Sequence, residues 1–339
     1  MESRTEISSL GEFGLIQRIN KGVTNTQPDT VTGIGDDAAV MDIGEEYGLL
    51  TTDLLLEGVH FDLTFFPLKH LGYKSIAASV SDIAAMNGYP RQVTVNIAIS
   101  NRFSVEAIDE FYAGVRTACK DFSVDLVGGD TSSSRSGLLI SVSVFGKVKK
   151  DKVVYRNTAK PNDLLCVTGD LGGAYLGLQL LEREKQVFLT NPDMQPELEG
   201  KDYVIQRQLR PEARMDVIYE LEEAGVTPTS MIDVSDGLAS DLLHICAQSG
   251  VGAVVFEERL PIDEQTYLAA TELNLSPITA ALNGGEDYEL LFTVSQADYE
   301  KIKNNPKITF VGYIADKSEG VSLHTKGDSR VPMTAQGWT

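Results

Sequence analysis

Val93-Thr94-Val95-Asn96-Ile97-Ala98-Ile99 alternates branched apolar residues with small or polar ones. Successive side chains of an extended chain point to opposite faces, so this period of two predicts a strand with one face covered. Ser141-Val142-Ser143-Val144 repeats the pattern and predicts a second such strand. Further strands are expected over residues 47–52, 125–127, 163–168, 253–257, 288–294 and 309–314. Apolar residues at helical spacing predict helices over 13–20, 70–86, 105–122, 173–183, 214–223, 236–249, 264–273 and 296–303, with Gly250 as a C-terminal stop. Strands follow strands as well as helices, which favours an α+β fold over a doubly wound parallel sheet.

A chain of 339 residues is long enough for about two domains. The polar stretch Lys149-Lys150-Asp151-Lys152 suggests the boundary, giving domains over 1–150 and 151–339. Residues 190–202, with Pro192, Pro196 and Gly200, read as a surface loop.

The net charge of −20 argues against a nucleic-acid partner, because a phosphate backbone attracts a basic surface. No apolar run reaches the roughly 18 residues a membrane span needs, and Met1–Leu10 lacks the apolar stretch of a secretory signal, so a cytoplasmic protein is expected. Cys119, Cys166 and Cys246 are odd in number and far apart, which fits neither a disulfide framework nor a zinc site.

Asp residues recur in Gly-rich or Ser/Thr-rich turns after strands: Gly33-Ile34-Gly35-Asp36-Asp37, Thr51-Thr52-Asp53, Gly128-Gly129-Asp130-Thr131 and Asp233-Val234-Ser235-Asp236-Gly237. Singly, each is an ordinary turn former or helix cap, and Asp236 opens a helix that it could simply cap. Together they suit Mg²⁺, a hard cation shared between a few carboxylates and substrate phosphates. Cations held in this way also reconcile an acidic chain with an anionic ligand. In the helix over 70–86, Ser75, Ser79 and Asp82 share one face while Ile76, Val80 and Ile83 share another. A stripe of small Ser with one Asp resembles a polar cavity lining more than a solvated face. The chain has no Gly-x-x-x-x-Gly-Lys-Ser/Thr loop, and the turn at Gly169–Gly173 lacks the Gly-x-Gly-x-x-Gly spacing.

Gly11-Glu12-Phe13-Gly14, Gly35-Asp36-Asp37-Ala38, Thr51-Thr52-Asp53 with Glu57-Gly58-Val59-His60, and Ser81-Asp82-Ile83-Ala84-Ala85-Met86 occur in order. Gly128-Gly129-Asp130-Thr131, Asp233-Val234-Ser235-Asp236-Gly237-Leu238, Gly284-Gly285-Glu286-Asp287-Tyr288-Glu289-Leu290 and the terminal Gly337-Trp338 follow. Over nearly the whole chain this order resembles the thiamine-monophosphate kinase family. That family lies within a superfamily that includes aminoimidazole ribonucleotide synthetase.

The resemblance implies two α/β domains of that superfamily's type, a homodimer formed through the N-terminal sheet, and a nucleotide site where the domains meet. It implies several Mg²⁺ ions on Asp37, Thr51, Thr52, Asp53, Asp82, Asp130, Asp233 and Asp236. ATP, the co-substrate, would contact Tyr112, Gly129, Asp130, Arg156 and Ser235. Thiamine monophosphate would contact His60, Glu286 and Trp338, the chain's single Trp. The expected reaction is direct in-line transfer of the γ-phosphoryl group to the acceptor phosphate, with no residue needed as acid or base. An ATP-dependent synthetase of the same superfamily and a non-catalytic nucleotide- or cation-binding protein are the alternatives. The turn at 169–175 departs from the family's usual residues, and the 190–202 loop is longer than in compact members.

Overall fold

The computed structural model of the chain describes residues 11–335, with side chains from residue 14 onward. The first sheet draws on residues 30–149. Its strands are β1 (Thr30–Thr32), β2 (Ala39–Asp42), β3 (Glu46–Leu56), β4 (Tyr89–Ile99), β5 (Asp125–Gly128), β6 (Thr131–Ser133) and β7 (Leu139–Lys149). They run in the order β1-β2-β3-β7-β4-β5, and β6 also pairs with β4. The two alternating segments of the sequence are thus neighbours: β4 and β7 lie antiparallel with Val93 opposite Val144 and Val95 opposite Val142. All four of these valines are buried, so the period of two reflects one covered face.

The second sheet draws on residues 164–332. Its strands are β8 (Leu164–Thr168), β9 (Ser230–Val234), β10 (Gly252–Phe256), β11 (Glu289–Val294), β12 (Ile308–Ala315), β13 (Val321–His324) and β14 (Arg330–Pro332). The order is β14-β13-β10-β12-β8-β11-β9, antiparallel except where β13 runs parallel to β10. Predominantly antiparallel pairing in both sheets agrees with the α+β expectation.

The helices are α1 (Gly11–Asn20), α2 (Leu68–Ala85), α3 (Val105–Asp121), α4 (Gly173–Thr190), α5 (Asp202–Leu209), α6 (Met215–Glu223), α7 (Leu238–Ser249), α8 (Glu264–Glu272), α9 (Pro277–Asn283) and α10 (Tyr299–Ile302). Five differ from expectation: α4 runs on past 183 to Thr190, α5 stands where no helix is expected, and three more depart for local reasons. The helix expected from 236 starts at Leu238, because Ser235 and Asp236 are drawn into a turn. The helix expected over 296–303 is a 3₁₀ turn followed by the short α10. Sequence periodicity misses α9, which spans only seven residues; its start is marked by Ser276, whose hydroxyl accepts from Thr279 N–H, and by Pro277 in the first turn.

Helix α2 organises the molecule. It crosses α3 so closely that a Cβ added to Gly114 would meet Lys69 O at 1.8 Å. It packs on β3, β4 and β7 of the first sheet and on β9 and β11 of the second. A helix held between two sheets has no solvated side. Ile76, Val80 and Ile83 are buried, and so are Ser75, Ser79 and Ser81. Of its small polar residues, Ser79 and Ser81 face carboxylates, while Ser75 donates to Gly72 O of its own helix (3.0 Å).

Candidate active site

Three segments converge beside α2. The inner face of β3 supplies Thr51 and Asp53, while Thr52 turns outward and donates to Val142 O (3.1 Å). The turn before β2 supplies Asp36 and Asp37, α2 supplies Asp82, and β9 supplies Asp233. Oxygens of Asp37, Asp82 and Asp233 all lie within 4.8 Å of one another. Hydroxyls hold them in place: Thr51 donates to Asp82, Ser79 to Asp53, and Ser81 to Asp233 at 2.7 Å. The Arg156 guanidinium pairs with Asp37 and, at 3.2 Å, with Asp36.

Burying several carboxylates together disfavours ionising all of them. Desolvation pushes Asp82 well above the usual carboxylate range, and the charges of Asp53, Asp233 and Asp37 add to it. Asp37 is likewise raised by burial, only partly offset by Arg156. Asp233 is pushed up to about 6 by burial, against the lowering effects of the Ser81 hydrogen bond and Arg156. Among the described residues, the buried Oδ2 of Asp37 has no hydrogen-bond partner. The protein's own groups leave this cluster short of positive charge.

A cavity of about 430 Å³ adjoins it, lined in part by Asp53, His60, Ala78, Ser235, Asp236, Glu286 and Tyr288. Two loops of the second sheet form its wall: Glu286 N–H donates to Ser235 O (2.7 Å) and Tyr288 N–H to Val234 O (2.9 Å). Gly285, at φ +70°, lies so close to the other loop that a Cβ there would meet Ser235 O at 2.6 Å. Glu286 and Tyr288 themselves have φ of +58° and +52°, a region uncommon for residues other than glycine and often used where structure serves a site. The backbone sorts the acids of this stretch. Glu286 lines the cavity, whereas Asp287 accepts from the N–H groups of Gly172 (2.7 Å) and Ala174 (3.3 Å) at the start of α4. Glu289 pairs with Arg207 (2.9 Å) and Arg214 (2.7 Å). Asp287 and Glu289 anchor the structure; Glu286 faces the open space. On the opposite wall, Nδ1 of His60 accepts from Leu56 N–H (3.0 Å), which leaves the ring proton on Nε2.

Residues 35–148 match the family described as AIR synthase related protein, N-terminal domain, and residues 160–320 match its C-terminal domain. The thiamine-monophosphate kinase of Aquifex aeolicus (strain VF5) is 35% identical over 335 residues, covering 98% of each chain. That of Bacillus subtilis (strain 168) is 35% identical over 336 residues, covering 95% of this chain and 97% of its own. The chain belongs to the thiamine-monophosphate kinase family. The solved structure of AaThiL complexed with AMPPCP and TMP superposes with a TM-score of 0.83 at 32% identity, covering 99% of this chain and 98% of that one.

Of the residues that likeness to the thiamine-monophosphate kinase family singles out, the fold gathers Asp37, Thr51, Asp53, Asp82, Asp233 and Arg156 at the carboxylate cluster. It gathers His60, Ser235, Asp236 and Glu286 at the cavity beside it. Others stand elsewhere. Asp130 is exposed after β5, with its carbonyl accepting from Ile97 N–H (2.9 Å), and Gly129 precedes it, also exposed. Tyr112 lies on α3, its ring edge-on to Phe111 at 5.4 Å. Trp338 lies outside the described residues.

Sequence reading quotes Asp36 and Ser81 within motifs without giving either a role of its own and passes over Lys74; the structure ties all three to the site. Asp36 shares Arg156 with Asp37. Ser81 holds Asp233, and its place directly before Asp82 is the only hint. Lys74 is 1% exposed and lies 3.0 Å from Glu286. A charged residue amid the apolar Leu71, Tyr73 and Ile76 was the available signal.

Proposed function

We propose that the protein transfers the γ-phosphoryl group of ATP to the phosphate of thiamine monophosphate, giving ADP and thiamine diphosphate. The observation that carries this reading is the near-complete match to AaThiL complexed with AMPPCP and TMP, a nucleotide with a triphosphate chain and a second ligand in one protein.

The carboxylate cluster fits Mg²⁺. It offers oxygen donors only, three of them within 4.8 Å of one another, and one, Oδ2 of Asp37, has no hydrogen-bond partner among the described residues. Asp37, Asp82 and Asp233 would hold the ions, with Thr51, Asp53 and Asp236 as further ligands; the Thr52 hydroxyl, turned outward to Val142 O, and the exposed Asp130 stand outside this cluster. Bound Mg²⁺ supplies positive charge that offsets repulsion between two phosphate anions and favours in-line alignment. The chain's own residues bind and orient. Tyr112, Gly129, Asp130, Arg156 and Ser235 would receive ATP; His60, Glu286 and Trp338 would receive the thiamine end of the acceptor. A carboxylate such as Glu286 suits a cationic thiazolium or an aminopyrimidine N–H, and Trp338 would stack on a ring. The acceptor oxygen is already anionic near neutral pH, so no side chain is needed to remove a proton from it, and no acid or base is assigned.

In the same reading residues 1–150 carry the metals, ATP and the dimer contact, and residues 151–339 complete the site. A homodimer through the first sheet is supported by the outer face of β3, where Leu50 and Leu54 are 44% and 50% exposed. Among the described residues no helix is long and apolar enough to cross a membrane, and a cytoplasmic location belongs to the proposal. The test is ADP release: it should require thiamine monophosphate and Mg²⁺, and free thiamine, lacking the phosphate, should not substitute.

A further inference from the structure

We infer that Lys74 is a positioning residue for the acceptor substrate: it fixes the carboxylate of Glu286 at the cavity wall without touching the acceptor. The inference rests on the reading of Glu286 as a thiamine-binding group. Lys74 projects from α2 into the packing between the two sheets. Its Nζ lies 3.0 Å from Oε1 of Glu286 and donates to Gln208 O at 3.1 Å. The same ammonium sits 5.4 Å from the Phe66 ring centroid. Oε2 of Glu286 accepts from Nε2 of Gln208 at 2.9 Å. Each carboxylate oxygen is thus fixed by one protein donor and keeps a further lone pair for a ligand.

The placement of this pair separates it from the purely structural ones. Glu289 is also double-paired, with Arg207 and Arg214, but its side chain is 0% exposed. Glu286 retains 15% exposure, lines the 430 Å³ cavity and also lines the adjoining space beside Phe61 and Phe66. An ammonium this deep is tolerated only with an acceptor, and the acceptor it finds is the one carboxylate of the 284–290 stretch that faces open space. Lys74 and Asp82 also share a helix. Eight residues at the α-helical rise separate them by about 12 Å along the axis. One rigid element therefore carries both the group that aims Glu286 and a carboxylate of the phosphate-side cluster. That fixed span suits an acceptor with a cationic or amine-bearing heterocycle at one end and a phosphate at the other.

The test is steady-state kinetics of K74M, E286Q and the K74M/E286Q double variant. K74M is expected to raise KM for thiamine monophosphate about tenfold or more, the cost of losing a charged hydrogen bond, with KM for ATP unchanged. The double variant leaves no charge buried without a partner. It is expected to recover the melting temperature lost in K74M and to keep the raised KM of E286Q. If K74M is obtained only unfolded, the double variant carries the test against E286Q: equal KM values support action through Glu286, and a further rise overturns it. A folded K74M with the wild-type ratio of the two KM values also overturns it, and so does a double variant with wild-type KM. A wild-type enzyme that does not turn over thiamine monophosphate overturns the functional reading itself.

Discussion

Ser81 on α2 donates a 2.7 Å hydrogen bond to Asp233 on β9, joining a helix that covers the first sheet to a strand of the second. The carboxylate cluster therefore exists only when the two halves of the chain are docked. Ser81→Ala removes a hydrogen bond to a charged acceptor, worth about 1.5–3 kcal/mol. We expect kcat to fall about tenfold and the Mg²⁺ concentration for half-maximal rate to rise, while KM for thiamine monophosphate stays near wild type. Unchanged metal dependence would reduce Ser81 to a packing residue.

Asp82→Asn should separate function from stability. The buried Asp82 carboxyl is raised by desolvation and by the charges of Asp53, Asp233 and Asp37. Removing its charge relieves repulsion, so the metal-free melting temperature should hold or rise. Turnover should fall by about a hundredfold or more, since in the proposed reading Asp82 helps hold the cations that offset phosphate charge in the transition state. Calorimetry and kinetics on the same preparation read both effects.

The pH dependence of stability follows from the same groups. Asp233 is raised from 3.8 to about 6 in the folded protein, and Asp37 and Asp82 move in the same direction. Between those values the folded state binds more protons than the unfolded one, so stability falls as pH rises. Metal-free protein should melt at a higher temperature near pH 5 than near pH 8. Added Mg²⁺ should raise the pH 8 value most, because it binds the ionised carboxylates. A melting temperature that climbs from pH 5 to 8 without metal would contradict the assignment.

The exposed leucines of β3 give a fourth expectation. Replacing Leu50 and Leu54 with Glu places charge on the outer face of the first sheet and leaves its buried face intact. Light scattering should report a dimer for the wild type and a monomer for the variant, with little change in helical circular dichroism. Equal masses would remove this face from the assembly.

How much of this could be read from the chain differs by element. The alternation at 93–99 and 141–144 gave β4 and β7, because one covered face writes itself into side-chain polarity. The Ser75, Ser79 and Asp82 stripe revealed a polar environment for α2, though the partner across the sheets comes from Ser81, which no periodicity marks. Asp287 and Glu286 are adjacent and chemically alike; only the positive φ at Glu286 and Tyr288 decides which one faces the cavity. Lys74 stands out in sequence only as a charge among apolar residues, and such a lysine ordinarily reaches for solvent; its target is 212 residues away, in the 284–290 loop. Long-range partners of this kind leave no local trace.

The most direct measurement follows the phosphorus. ATP labelled at its γ-phosphate is incubated with the protein, Mg²⁺ and thiamine monophosphate, and the products are separated. We predict label in the terminal phosphate of thiamine diphosphate, in amounts equal to the ADP formed, and none when EDTA removes the metal. ADP formation without labelled thiamine diphosphate, together with consumption of formylglycinamidine ribonucleotide, would contradict the account and point instead to a synthetase.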